Sequence, residues 1–433
     1  MNLLDVNDSP GTYPPSYYAE TTPPLAPFPG AQGHLHTDVC VVGGGYTGLS
    51  AALHLARRGY DVLVLEAQRF GFGASGRNGG QVGSGQRLEQ EVLEARYGAE
   101  PARFLWDSAQ EARALVDSLV AEGIDCDLTP GVIYATERSG DIGPAQDSAA
   151  HLADRYGYVT TPLDRSEVQA LTGSPAYCGG VLDPGAAHLN PFKLVLGLAR
   201  QAQNAGAQLC EGSRVTGITD DGPHVQITTA EANITAEHVV LAGNGYLGEL
   251  DPRTAAHVMP INSYMIATAP LGDLADEILP QRHAVADSRF VVNYFRLSPD
   301  RRLLFGGGES YSYRFPKDIA AKVRRPLAQI FPQLAQVEID YAWGGTLGIT
   351  RSRLPYATRP SPRVLSAGGY SGHGVALSIW LGRAMAQAID GDDRRFARFA
   401  ELPVRAFPGG PALRGPLLFG AMSAAALSDR LPL

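Results

Sequence analysis

The stretch Val39–Glu66, VCVVGGGYTGLSAALHLARRGYDVLVLE, indicates the fold class. It opens with a short apolar run, Val39–Val42, which leads into Gly43–Gly48 with the spacing G-x-G-x-x-G. Leu49–Arg58 then carries apolar residues at helical spacing, and Asp61–Leu65 is a second, continuous apolar run. Continuous apolar runs are typical of parallel strands that are buried on both faces. The stretch therefore predicts a strand–turn–helix–strand unit.

The glycine turn in this unit indicates a dinucleotide site. Gly43 would make the tight turn, Gly45 would let the backbone approach a pyrophosphate, and Gly48 would let helix and sheet pack closely. The helix N-terminus would face the phosphate charge. Glu66 ends the second strand, where its carboxylate would accept hydrogen bonds from ribose hydroxyls and disfavour the 2′-phosphate of NADP. A glycine turn without a ligand is the less favoured alternative.

A second glycine-rich run, Gly71–Gln81 (GFGASGRNGGQ), follows directly. It resembles the flavoprotein family of D-amino acid oxidase, glycine oxidase and monomeric sarcosine oxidase, and most closely the branch that contains gamma-glutamylputrescine oxidase. The resemblance implies FAD, with Ser75 and Arg77 beside its pyrophosphate and residues 79–81 along the isoalloxazine ring. Successive glycines permit flat contact with a ring, and a guanidinium offsets diphosphate charge. A surface loop without a ligand is the alternative.

A third cluster, Gly368–Val375 (GGYSGHGV), resembles the C-terminal YSGHG element of the same family. There the helix N-terminus points at the pyrimidine edge of the flavin and stabilises the reduced anion. A weaker resemblance places Gly243 in the turn after the third strand of the nucleotide domain. The predicted cofactor-binding residues are Gly43, Gly45, Tyr46, Thr47, Gly48, Glu66, Ala74, Ser75, Arg77, Asn78, Gly79, Gly80, Gln81, Gly243, Gly369, Gly372, His373, Gly374 and Val375.

Candidate catalytic residues come from two places. His373 is a possible base, although a loop histidine placed by neighbouring glycines is more often a structural hydrogen-bonding group. Tyr264, Tyr294 and Arg296 lie on predicted strands within residues 258–310 and are candidates to line a substrate pocket, while sheet packing explains each tyrosine equally well. The sequence shows no metal-ligand spacing, so no metal site is predicted.

The order of elements predicts an α/β chain, α+β overall. A discontinuous, Rossmann-like FAD-binding domain would receive an antiparallel β-sheet substrate domain as an insertion. Residues 1–33 hold seven prolines, which favours an extended arm on the surface. The expected ranges are 1–35 for the arm, 36–100, 160–255 and 345–433 for the FAD-binding domain, and 101–159 and 256–344 for the substrate domain.

Composition and charge limit the partners. Asp and Glu outnumber Lys and Arg by 44 to 36, which argues against nucleic-acid binding. Without a basic leader or an apolar stretch suited to a membrane span, the chain is expected in the cytoplasm. The apolar stretch Gly415–Leu427 is too short to span a membrane, so core or dimer packing is favoured over contact with a membrane surface. The oligomeric state stays open.

The resemblance implies an amine or amino-acid oxidase that converts a C–N bond to an imine and reduces oxygen to hydrogen peroxide. The alternatives are a dehydrogenase of the same fold that passes electrons to quinone or another carrier, and, less favoured, a flavin-binding subunit without turnover. Family members with covalent flavin use a Cys in the C-terminal third; because the last Cys here is Cys210, noncovalent FAD is expected.

Sarcosine-oxidase-like relatives bind the substrate carboxylate with a Lys two residues after GHG, where this chain has Ala376. We therefore expect amines without a carboxylate beside the reacting carbon, such as gamma-glutamylputrescine, unless Arg296 or Arg351 replaces that Lys.

Overall fold

The computed structural model describes residues 3–289, 291–310 and 312–409, so the apolar stretch Gly415–Leu427 lies outside the described residues. The helices are α1 (Tyr17–Thr21), α2 (Tyr46–Ala56), α3 (Gln90–Tyr97), α4 (Ala99–Ala121), α5 (Ile142–Tyr156), α6 (Arg165–Thr172), α7 (Pro191–Asn204), α8 (Pro252–His257), α9 (Leu274–Glu277), α10 (Ile319–Ile330), α11 (Gly374–Ile389) and α12 (Arg394–Ala400). Of these, none in the described ranges is long and apolar enough to cross a membrane.

The strands are β1 (Gly33–Val42), β2 (Val62–Leu65), β3 (Gln81–Val82), β4 (Thr129–Thr136), β5 (Thr161–Leu163), β6 (Gly179–His188), β7 (Gln208–Cys210), β8 (Gly217–Thr219), β9 (Val225–Thr228), β10 (Ala232–Leu241), β11 (Met259–Thr268), β12 (Ala284–Asp287), β13 (Tyr294–Leu297), β14 (Leu303–Ser310), β15 (Ile339–Ile349), β16 (Tyr356–Ser361) and β17 (Val364–Gly368). They form two sheets.

The first sheet has the order β16-β17-β10-β1-β2-β7, with β9 and β8 continuing from β10. β1 pairs in parallel with β2 on one side and with β10 on the other, and β17 pairs in parallel with β10. Helix α2 connects β1 to β2 and packs against α11. The predicted strand–turn–helix–strand unit is confirmed. Its first strand starts earlier than the predicted Val39, because β10 pairs with β1 from Gly33 onward.

The second sheet has the order β15-β11-β14-β13-β12-β4-β6-β3, with β5 beside β6. Its pairs are antiparallel except for β12 with β4, so the antiparallel sheet expected in residues 258–310 is confirmed. An apolar core lies between this sheet and α10. The overall α/β fold with two sheets is the predicted one, while the residue ranges of the two domains stay a prediction.

The N-terminal segment differs from the expected extended arm on the surface. Ser16 caps the short helix α1, whose Tyr17 and Tyr18 are buried. The Tyr18 ring packs edge-on against Trp343 of β15, with ring centroids 5.3 Å apart. The expectation of a surface arm is therefore wrong at α1, because two aromatic side chains offset the helix-breaking effect of the surrounding prolines by inserting into the core.

Candidate functional site

A cavity of about 830 Å³ opens at the carboxyl ends of β1, β2 and β10. Parallel α/β sheets bind their ligands at this edge. Six of the predicted cofactor-binding residues line the cavity: Gly43, Gly45, Glu66, Ala74, Ser75 and Gly243. Its wall also includes residues that the sequence did not suggest, namely Leu3, Leu4, Arg214, Tyr246 and Tyr313.

The glycine turn is packed too tightly for side chains. Gly43 has φ +112°, and a Cβ there would lie 2.9 Å from the carbonyl group of Ala242 at the end of β10. A Cβ on Gly45 would lie 2.9 Å from the Ser75 hydroxyl, and one on Gly48 would overlap the carbonyl oxygen of Gly43. Backbone alone therefore forms this part of the cavity wall, as a bound pyrophosphate requires.

Helix α2 begins at Tyr46, three residues earlier than predicted, so its first turn lies within the glycine motif. The Tyr46 amide donates to the Ser75 hydroxyl at 3.0 Å, and the Tyr46 hydroxyl donates to the Pro191 carbonyl. The Thr47 and Tyr370 hydroxyls share a hydrogen bond of 2.7 Å. The helix N-terminus is thus connected to both of the other glycine clusters.

Glu66, directly after β2, forms a hydrogen bond with the glycine turn. Its carboxylate accepts hydrogen bonds from the Gly44 amide at 2.7 Å and from the Gln68 amide at 2.8 Å. Burial, reinforced by the nearby Glu211 charge, raises the pKa of the Glu66 carboxyl to about 7. Each carboxylate oxygen has two lone pairs, so Glu66 retains acceptor capacity toward the cavity. Its hydrogen bonds to a ribose stay a prediction.

The loop from Ala74 to Gln81 is held by its own side chains. The Asn78 amide donates to the carbonyls of Ala74 and Ser75, and its side-chain oxygen accepts from the Gly80 amide at 2.8 Å. Gly80 has φ +80°, which favours glycine. The Gln81 side chain donates to a carbonyl of β12 at 2.7 Å. This loop therefore joins the first sheet to the second.

Arg77 belongs to this loop, and its side chain is buried. It is not among the residues lining the cavity. Its guanidinium donates to the carbonyls of Phe72 and Gly344, at 2.6 and 3.2 Å, and forms an ion pair of 2.9 Å with Asp8. The Arg77 charge thus has a carboxylate partner within the protein. Its expected position beside the pyrophosphate stays a prediction.

The third glycine cluster joins β17 to α11. The Gly369 amide donates to the Asn244 side-chain oxygen at 2.8 Å, which ties this cluster to the turn that contains Gly243. Gly369 and Gly372 have φ values of +71° and +87°. Gly374 and Val375 form the first turn of α11. The fold therefore brings all three sequence clusters together around one region.

His373 is half-buried immediately before α11. A Cβ on Gly83 would lie 2.7 Å from the His373 Nε2 atom and 3.5 Å from the Tyr134 hydroxyl, so both groups converge beside β3. Burial and the positive charge of Arg87 lower the pKa of the His373 imidazole to about 4. The imidazole is therefore neutral at pH 7.

Two of the three candidate pocket residues reach the glycine loop. The Tyr294 ring lies against Gly79, and the Arg296 guanidinium donates to the Gly79 carbonyl at 2.9 Å. Tyr264 packs instead with Phe315 in the core beside α10, on the other face of the second sheet. The structure therefore does not bring Tyr264 together with Tyr294 and Arg296.

Comparison with known proteins identifies the family. The model of the DAO family, described as FAD dependent oxidoreductase, matches residues 38–388. This chain is a DAO-family FAD-dependent oxidoreductase. It is 45% identical over 417 residues to "Probable oxidoreductase OrdL" of Rhizobium meliloti, covering 96% of this chain and 97% of the relative. It is 40% identical over 422 residues to gamma-glutamylputrescine oxidoreductase of Escherichia coli, covering 96% and 98%.

Among solved structures, glycine oxidase from Geobacillus kaustophilus superimposes with a TM-score of 0.72 at 23% identity, covering 82% of this chain and 95% of that one. This likeness confirms the fold. The expected family and the dependence on FAD are also confirmed, and the all-backbone glycine turn fits the cofactor. Within the described residues, no cluster of three or more His, Cys, Asp or Glu side chains could hold a metal ion.

No sequence pattern indicated the N-terminal part of the cavity wall. Leu3 and Leu4 stand in a proline-rich segment without periodicity, and Tyr313 follows β14 at a distance of about 270 residues from the glycine turn. Only the three-dimensional structure shows that these residues line one cavity. The cavity wall of this chain thus extends beyond the glycine motifs.

Proposed function

We propose that this DAO-family enzyme oxidises the C–N bond of gamma-glutamylputrescine or a related amine to an imine. Water then hydrolyses the imine to an aldehyde and ammonia, or to an aldehyde and an amine if the nitrogen is substituted. Oxygen takes up the two electrons and two protons and becomes hydrogen peroxide. FAD, when bound, supplies the acceptor for the hydride from the carbon beside the nitrogen. The similarity to gamma-glutamylputrescine oxidoreductase supports this substrate class.

The observation that carries the proposal is the residue two positions after Gly-His-Gly. Ala376 is buried in the first turn of α11 and contributes a methyl group at the position where the resemblance to sarcosine-oxidase-like relatives implies a Lys. A buried carboxylate without a counter-charge is strongly disfavoured. This position therefore favours an amine with no carboxylate beside the reacting carbon.

The two arginines that could replace such a cation have other partners. The buried Arg296 guanidinium donates to the carbonyl of Gly79 and to the hydroxyl of Tyr18. Arg351 is exposed and donates to the carbonyl of Ala406. Neither arrangement supports a carboxylate clamp at the reacting carbon.

A gamma-glutamyl amine carries its carboxylate many bonds away from the reacting carbon. Arg87, six residues beyond Gln81, is the cation that we assign to this remote group. It is half-buried, donates no hydrogen bond to other described residues, and acts electrostatically on His373 and on the neighbouring carboxyl of Glu89. A guanidinium binds carboxylates through two parallel hydrogen bonds.

His373 is assigned a positioning role rather than that of a base. An imidazole with a pKa of about 4 is a poor acceptor for the proton of an ammonium group near pH 7. It also adds no positive charge that would repel a cationic substrate. The amine is therefore expected to bind in its unprotonated form.

Steady-state assays of peroxide release test this assignment. The kcat/KM for gamma-glutamylputrescine should exceed those for sarcosine, glycine and proline. Arg87→Gln should raise KM for gamma-glutamylputrescine about 10-fold or more, a loss of roughly 1.5–3 kcal/mol for a hydrogen bond to a charged group. It should leave KM for unmodified putrescine unchanged. The exposed Arg96 on α3 supplies the matched control, Arg96→Gln.

Three outcomes would contradict parts of this proposal. A higher kcat/KM for sarcosine, glycine or proline would reject the substrate class. An unchanged KM for gamma-glutamylputrescine in Arg87→Gln would reject the role of Arg87 alone. Substrate consumption that requires a quinone and releases no peroxide would replace the oxidase by a dehydrogenase.

A further inference from the structure

The N-terminal segment 3–13 reaches the cofactor cavity with its first two residues. Leu3 and Leu4 form part of its wall, on the same cavity as Glu66 and the glycine turn. These residues precede the first strand by 20 to 30 positions and lie outside residues 38–388, which the family model matches. Their contacts show how the segment is fastened.

Gln68 holds the segment at two points. Its side-chain nitrogen donates to the Leu4 carbonyl at 3.0 Å, and its side-chain oxygen accepts from the Gly11 amide at 2.6 Å. Gln68 is buried two residues after Glu66, whose carboxylate accepts from the Gln68 amide. The side chain that binds the segment is therefore fixed to the wall of the cavity.

Asn7 ties the segment to the loop between β14 and α10. Its side-chain nitrogen donates to the Tyr313 carbonyl, and its side-chain oxygen accepts from the Phe315 amide, both at 2.8 Å. Tyr313 itself lines the cavity. One side chain thus holds two separate pieces of the cavity wall together.

Asp8 supplies the counter-charge for Arg77. The Arg77 side chain is 1% exposed and that of Asp8 is 13% exposed, with 2.9 Å between Nη1 and Oδ2. The other hydrogen-bond partners of Arg77 are carbonyl groups, so Asp8 is the charged one. Removing one member of a buried pair leaves an uncompensated charge. Arg77 follows Ala74 and Ser75 in the loop that lines the cavity, so Asp8 acts on that loop through Arg77.

We propose that residues 3–13 form a retaining strap, which closes the cavity over FAD and slows its release. Leu3 and Leu4 supply the cover, Gln68 and Asn7 fasten it, and Asp8 is a positioning residue that holds the Arg77 loop in place. FAD leaves through this side only after the strap detaches. The strap has no part in the chemistry at the reacting carbon.

The test measures the rate of FAD release from the full-length holoenzyme, as the rise of flavin fluorescence after dilution to a concentration far below the Kd for FAD, so that released FAD does not rebind. Asp8→Asn should accelerate release at least 10-fold. Asp5→Asn is the matched control, because Asp5 lies in the same segment but forms an exposed ion pair with Arg214. It should change the rate less than twofold.

A variant that lacks residues 2–4 keeps Asp8 and removes the cover, so it tests the strap even if Asp8→Asn does not fold. It should release FAD at least fivefold faster while the melting temperature of its apoprotein stays at the wild-type value. A purely structural role would lower that melting temperature without this selective effect on release. Wild-type release from the shortened variant, or equal acceleration by Asp5→Asn and Asp8→Asn, overturns the proposal.

Discussion

Substitution of Gly43 tests whether FAD binds at the glycine turn. The Gly43 φ of +112° is disfavoured for any residue with a Cβ, and an added Cβ would lie 2.9 Å from the Ala242 carbonyl. Ordinary contact begins near 3.4 Å, so Gly43→Ala must displace the turn from β10 by about 0.5 Å. The backbone strain alone is about 1–3 kcal/mol. FAD binding requires the native turn, so this strain should appear in the affinity as a rise in Kd of about 10- to 100-fold.

Gly59→Ala is the matched control. Gly59 follows α2 with φ +88°, but a Cβ there would meet nothing within 4 Å, and Gly59 is not among the residues lining the cavity. Both variants should therefore melt at a lower temperature, whereas only Gly43→Ala should bind FAD more weakly. Fluorescence titration of each apoprotein with FAD gives the Kd. Wild-type affinity in Gly43→Ala, or an equal loss in both variants, would refute the pyrophosphate position at this turn.

Three further predictions concern the cofactor and acid stability. Glu66→Ala should weaken FAD binding by about 1.5–3 kcal/mol and Glu66→Gln by less, since Gln keeps one acceptor oxygen; equal affinities in apoprotein titrations would disprove the role. Burial holds the pKa of His373 at about 4 in the folded protein, against about 6.5 in the unfolded chain. The unfolded chain therefore takes up the proton first, so the free energy of unfolding falls as the pH decreases from about 6.5 to about 4. His373→Asn should flatten the pH dependence of the melting temperature between pH 6.5 and 4, whereas substitution of the exposed His34 by Asn should not; identical slopes would count against the burial argument. Since no Cys follows Cys210, acid precipitation should release all the flavin into solution, and yellow precipitate would show a covalent bond.

The nucleotide-binding half was predictable because its information is local. Apolar runs, helical periodicity and glycine spacing within 28 consecutive residues determine β1, α2 and β2. The start of α2 was misplaced at Leu49 because glycine is a poor helix former, whereas the observed helix takes its first turn from Tyr46 within the glycine motif.

The environment of single side chains was less predictable. Arg77 stands in a loop that suggested a phosphate, but its carboxylate partner Asp8 lies 69 residues away in an arm without periodicity. Tyr264 and Tyr294 are both strand tyrosines, and only the pairing of β11 and β13 with β14 places them on different faces of the second sheet. Contacts between residues far apart in the sequence therefore determine these side-chain environments, which local sequence patterns do not predict.

Anaerobic reduction of the holoenzyme tests the proposed amine oxidation, because it isolates electron transfer from the amine to the flavin and does not depend on the electron acceptor. The flavin absorbance is followed after mixing with gamma-glutamylputrescine, putrescine, sarcosine, glycine or proline at equal concentrations. We expect gamma-glutamylputrescine to bleach the flavin fastest and the three amines with a carboxylate beside the reacting carbon to bleach it most slowly. Faster bleaching by sarcosine, glycine or proline would contradict this expectation.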